Sequence, residues 1–114
     1  MRAGTAVKFY NVLITGKQNS VTVATTETEQ SFINNASVIE YLWSSTKFVY
    51  ESVSDLALAT KTGNATDQTI SFTNGYIGTV DGGKDLSSDS FFTKAEYKGA
   101  VPANNDWTAG WTKK

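Results

Sequence analysis

The chain of 114 residues contains no cysteine and no histidine, one proline, one arginine and one methionine. Without cysteine there is no disulfide framework, an absence that neither requires nor excludes an extracellular setting. With histidine and cysteine both missing, and with no spacing of Ser, Asp, Glu or Lys that reads as an active site, no catalytic residue is expected. No apolar run approaches the roughly 18 residues of a membrane span, so insertion into a bilayer is not expected. The opening Met1-Arg-Ala-Gly-Thr has a positive residue but no apolar segment behind it, unlike a signal peptide. It enters a strand-like run almost at once, which suggests a piece of something longer. A net charge of −1 with dispersed basic residues leaves no basic stripe, so nucleic acid is not an expected partner. The terminal Lys113-Lys114 is too short to make one.

What the chain does have is 16 Thr, 11 Ser and 8 Asn beside 9 Gly, with 39% apolar and 12% aromatic residues. The aromatic share argues for a folded chain. Threonine favours strands, and Ser, Asn and Gly favour turns. The composition therefore predicts one mainly β domain over residues 1–114, of modest stability for its size.

Residues 6–15 form the best strand segment, with Val7 and Phe9 on one face. A left-handed turn at Asn11 would bring Val12 and Ile14 to the same core. Thr26 and Glu29 have capping-box spacing for a helix of about two turns, which Asn34-Asn35 stops. Ser37–Ser45 reads as a strand with Ile39, Tyr41 and Trp43 on one face and Val38 and Leu42 on the other. Phe48–Val53 and Leu56–Ala59 are shorter apolar runs, and Thr60–Asp67 and Val80–Asp89 are polar loops. Phe-x-Asn recurs at Phe9, Phe32 and Phe72, spaced by 23 and 40 residues. A stacked architecture with a period of about 20 residues accommodates both spacings. Asn74-Gly75 is the only Asn-Gly pair and Asp81-Gly82 the only Asp-Gly, so hairpin signals are weak and favour parallel pairing.

Residues 91–111 concentrate five aromatics, two glycines and the proline. The segment runs Phe91-Phe92, then Tyr97-Lys-Gly99-Ala100, then Asp106-Trp107-Thr-Ala-Gly110-Trp111. This ending resembles the C-terminal segment of large secreted or surface-exposed proteins of Bacteroidetes-type bacteria. Phe9-Tyr-Asn11-Val-Leu-Ile14-Thr-Gly16 is similar to a coil that precedes that ending in the same proteins. The resemblance implies a short right-handed parallel β-helix, or solenoid, with one short helix and an aromatic C-terminal cap over 91–114. It also implies an extracellular or cell-surface location. It carries no catalytic residues to transfer. An antiparallel β-sandwich is the alternative fold. If the solenoid is right, its first coil is an exposed edge.

Three functions follow. The leading one is a non-catalytic structural or adhesive C-terminal module of a secreted or cell-surface bacterial protein. The second is a carbohydrate-binding module, with Tyr97, Trp107 and Trp111 as the ligand-binding residues and a carbohydrate or surface ligand as partner. The third is a fragment of a polysaccharide-acting enzyme, although Glu40, Glu51, Asp55 and Glu96 are isolated in sequence and Lys47 and Lys61 have no evident partners. Against the second stands the simpler reading that the tail aromatics form a lid over an open end of the core. Asp81, Asp85 and Asp89 around Gly82-Gly83 could supply calcium with oxygens, but they lack the alternate spacing of an EF-hand loop, and a solvated loop is the simpler reading. Thr22, Thr25, Thr26 and Thr28 are too irregular for an ice-binding ladder. No cofactor and no metal are expected.

Overall fold

A computed structural model describes residues 1, 3–51, 58 and 61–110. The protein is mainly β, and the described residues form one helix and five small two-stranded sheets. Three of those sheets are parallel. Strand β1 (Lys8–Tyr10) pairs with β4 (Val38–Glu40), β2 (Leu13–Ile14) with β5 (Trp43–Ser44), and β3 (Thr22–Val23) with β6 (Val49–Tyr50). Phe9 lies opposite Ile39 and Leu13 opposite Trp43, thirty residues on in each case. The next step, from Trp43 to Ala65, takes 22 residues and is again parallel. The longer first step exceeds the expected period of about 20 because it also contains helix α1 (Thr26–Ile33).

The helix begins one residue earlier than its capping-box spacing suggests. Thr25, in extended conformation, is the N-cap, and its side chain accepts a bond from the Thr28 backbone N–H at 3.3 Å. Glu27 and Glu29 then sit in the first turn, where negative charge complements the helix dipole. Asn34 closes the helix, with its N–H bonded to the carbonyl of Gln30 at 3.0 Å. The inner face of α1 brings Thr28 and Phe32 into the interior.

Between β1 and β2, and again between β4 and β5, the chain bends at a residue with left-handed backbone. Asn11 has φ 59° and its register equivalent Tyr41 has φ 56°. The bend at Asn11 puts Phe9, Val12 and Ile14 around one apolar cleft. The bend at Tyr41 corrects the reading of Ser37–Ser45 as one continuous strand. An unbroken strand would send Ile39 and Leu42 to opposite faces. Instead both are 1% exposed, in a core with Val23, Phe32, Phe48 and Leu58. Tyr41 turns outward, and Ser44 is buried in its place. The Asn64 side chain braces this second bend, accepting from the Leu42 N–H at 3.0 Å and donating to the Ile39 carbonyl at 2.7 Å.

Beyond residue 70 the pairing changes. Strands β7 (Phe72–Thr73) and β8 (Ile77–Gly78) form an antiparallel hairpin. Its turn has positive φ at both Asn74 (55°) and Gly75 (81°), the hairpin signature of an Asn-Gly pair. Strand β9 (Val80–Asp81) pairs antiparallel with β10 (Tyr97–Lys98). Residues 91–110 form no lid over the main core, and Trp111, the last of the tail aromatics, lies outside the described residues. Among the described residues, none of residues 91–110 joins the main core, and Phe91 (85%), Phe92 (45%) and Trp107 (47%) are well exposed. The tail runs instead along the outer side of β2 and β5. There the Gly99 N–H donates to the Asn11 carbonyl at 2.7 Å, and a side chain at Gly99 would press on Leu13 at 3.1 Å. Leu13 takes the outer side of β2 because strand alternation commits Ile14 to the core.

Candidate functional site

Two residues fasten the C-terminal segment to the parallel strands: Asn11, which the sequence marks only as a bend, and Lys98, which it does not mark at all. The first is Asn11. Its side-chain oxygen accepts from the Lys84 N–H at 2.6 Å, and its amide donates to the Lys84 carbonyl at 3.0 Å. One amide thus satisfies both backbone groups of a residue in another part of the chain, as a neighbouring strand would. Lys84 also pairs with Glu40, and its ammonium lies 4.9 Å from the centre of the Tyr10 ring. The hydrogen bond to Glu40 holds the Lys84 ammonium pKa above its ordinary value, against a smaller opposing effect of burial.

The second is Lys98, which is only 4% exposed. Its ammonium donates to the carbonyls of Asp81 (3.1 Å) and Gly82 (2.7 Å) and lies 4.9 Å from the Trp43 ring centre and 5.7 Å from that of Tyr41. Burial pushes its pKa down, and the charge of Asp81 pulls it partly back. A desolvated ammonium over aromatic faces is a strong contact, of order 2 kcal/mol. Lys98 is therefore a peg between β9–β10 and the outer face of β5.

Because Lys98 points toward the stack, its strand neighbour Tyr97 points the other way. There it lines an open groove of about 840 Å³, together with Asp81, Lys94, Glu96, Asn104 and Asn105. One wall is the β9–β10 pair and the other is the turn after Pro102, which is buried and bridges in parallel to Gly78. The β9–β10 wall is closely packed. A Cβ on Gly83 would stand 2.3 Å from the Tyr97 carbonyl oxygen, so this position takes only glycine. Lys94 and Glu96 form an exposed ion pair at 2.8 Å, and such pairs contribute little to stability.

The predicted binding residues separate in space. Tyr97 is in the groove wall. Trp107 is outside it, with its indole N–H donating to the Ala100 carbonyl at 2.8 Å. Trp111 lies outside the described residues, as does Asp55. Asp106, which precedes Trp107, accepts from the Tyr76 hydroxyl at 2.7 Å and from the Thr108 N–H at 3.1 Å, tying the tail to the β7–β8 hairpin. The three loop aspartates do not converge. Asp81 faces the groove, while Asp85 and Asp89 accept from the backbone N–H groups of Ser87 (2.9 Å) and Phe91 (3.0 Å). The bonds from Ser87 hold the Asp85 carboxyl below its ordinary value. Among the described residues no three acidic side chains gather as a metal site would require.

Asn104 and Asn105 carry no sequence signal beyond that of turn residues. They join Tyr97 only because the turn at Pro102 folds back on β8. Lys61 is engaged outside the groove, donating to the Asn35 side-chain oxygen at 2.5 Å. Among the described residues no helix is long and apolar enough to cross a membrane. No family model matches this chain, and no curated protein or solved structure does either.

Proposed function

We propose that this chain is a non-catalytic, structural and adhesive module of a secreted or cell-surface bacterial protein, built as a short right-handed parallel β-helix that carries an antiparallel C-terminal segment on its flank. The observation behind this reading is the order of the parallel pairs. Strands β1, β2 and β3 meet β4, β5 and β6 in sequence, and Trp43 meets Ala65 in the same sense. Successive parallel pairs in chain order are what a coiling chain produces, and a sandwich built from hairpins does not produce them. The resemblance of residues 91–111 to the endings of surface proteins supports the location.

The reading as non-catalytic rests on how the charged groups are used. Glu40 is paired with Lys84, Lys98 is sequestered beneath two aromatic rings, and Glu96 is paired with Lys94. Two measurements test the proposal. Antibody labelling of intact bacteria that produce the protein should find it at the cell surface, and retention wholly inside the cell sinks the assignment. Incubation with polysaccharides should release no new reducing ends or unsaturated uronates. Turnover above that of a heat-denatured sample would mean an enzyme.

A further inference from the structure

The groove beside Tyr97 has a defined shape, a defined charge and a rigid frame, and the three agree on one kind of occupant. Its volume of about 840 Å³ falls in the range of roughly 300–1,000 Å³ typical of small-molecule sites. It is open to solvent rather than enclosed, so it admits a ligand that continues beyond it. Its chemistry is that of hydroxyl recognition. Asn104 and Asn105 each offer both donors and acceptors, Asp81 and Glu96 offer acceptors, and Tyr97 adds a flat apolar ring with a polar tip. A sugar presents the matching set: hydroxyls that donate and accept at its rim, and a C–H face that packs on an aromatic ring.

Charge narrows the class further. Lys94 is the groove's one cation among its lining residues and is paired with Glu96, while Asp81 lies beside the Lys98 ammonium behind the wall. The lining therefore offers no unpaired cation to uronates or sulfated glycans. The frame is set before any ligand arrives. Gly83 packs on the Tyr97 backbone, the Lys98 ammonium holds β9 against β10 from behind, and the buried Pro102 fixes the opposite turn. A site that is already ordered loses little conformational freedom on binding.

We propose that this groove binds a neutral oligosaccharide, with Tyr97 as the stacking platform and Asp81, Glu96, Asn104 and Asn105 as the hydroxyl partners. The proposal rests on reading the chain as an adhesive module, and it gives that module its ligand class. It also moves the binding surface away from Trp107.

The test is an amide NMR titration of the full chain with neutral tetrasaccharides of glucose, mannose, xylose and N-acetylglucosamine, with tetragalacturonate as the anionic probe. At least one neutral probe at millimolar concentration should move the amides of residues 94–97 and 103–105, and tetragalacturonate should not. Tyr97→Ala should weaken that binding about tenfold, the loss of one aromatic anchor, while Trp107→Ala binds as the native chain does. Asn104→Ala, an exposed position outside the core, should weaken binding several-fold and keeps the test open if Tyr97→Ala misfolds. The proposal is overturned if no neutral probe moves those amides, if the anionic probe binds more tightly, or if Trp107→Ala rather than Tyr97→Ala abolishes binding. An absence of shifts in a protein found on the cell surface would remove this ligand and leave the module reading standing. Release of reducing ends from a bound probe would do the reverse.

Discussion

The parallel half of the molecule, up to about residue 69, and the antiparallel segment of residues 70–110 are held by different forces. The first encloses Val23, Phe32, Ile39, Leu42, Phe48 and Leu58, each nearly or fully removed from water. The second contributes no side chain to that cluster; it buries Val101 apart from it, meets Leu13 at Gly99, and is otherwise attached by polar contacts: Asn11 to Lys84, Lys98 over Trp43 and Tyr41, and Gly99 to Asn11. Burying apolar area is favourable in proportion to area, whereas an intramolecular hydrogen bond nets only about 1 kcal/mol after its exchange with water. The flank should therefore open more readily than the stack.

Four substitutions sharpen or break that contrast. Phe32→Ala should have the largest effect, about 3–5 kcal/mol for a buried phenylalanine, and should unfold both parts together in urea. If residues 70–110 kept protected amides while the stack melted, the flank would be an independent domain and the comparison would fail. Asn11→Ala comes next. It removes two hydrogen bonds and forces alanine into a left-handed bend, at a combined cost of about 2–3 kcal/mol. Hydrogen exchange at Gly82 and Gly99 should accelerate far more than exchange at Trp43 or Val49. Equal acceleration in both sets would show that Asn11 supports the stack instead of the joint.

Lys98→Met keeps the packed stem and loses the charged head, and should cost about 1–2 kcal/mol. It should also alter Trp43 fluorescence, because the ammonium leaves the ring face; an unchanged spectrum argues against the peg. The smallest expected effect is that of Lys84→Met, under about 1 kcal/mol for a partly exposed pair. Its sign with pH is defined. The Lys84 pKa is raised in the folded protein, so its stabilising contribution is complete below its ordinary value of 10.5 and is lost as pH rises through the folded value. The melting-temperature gap between native and variant should hold at neutral pH and shrink above that point. A gap that widened there would exclude the ion pair as its source.

Some of these features were legible in the residues and others were not. Asn11 declares its bend, because asparagine tolerates the left-handed region and the apolar alternation changes phase there. Asn74-Gly75 announces its hairpin in the same way. Tyr41 declares nothing. A tyrosine at φ 56° is held there by its surroundings: alignment with Asn11 thirty residues earlier, the Asn64 side chain bonding on either side, and the Lys98 ammonium above its ring. Lys98 is equally silent, since one lysine in a tail of aromatics gives no hint that it will be buried.

The sequence of the tail, residues 91–111, reads as bulky anchors separated by turn residues. Composition settled the mainly β class, and local rules settled the helix and the bends at Asn11 and Asn74-Gly75, because such preferences act over a few residues. Which face of the molecule the tail covers was decided only by tertiary structure. The tail lies on the flank because the outward side chains Leu13, Tyr41 and Trp43, brought together by parallel register, offer it a surface there. No preference within residues 91–110 encodes a surface assembled from strands more than forty positions earlier in the chain.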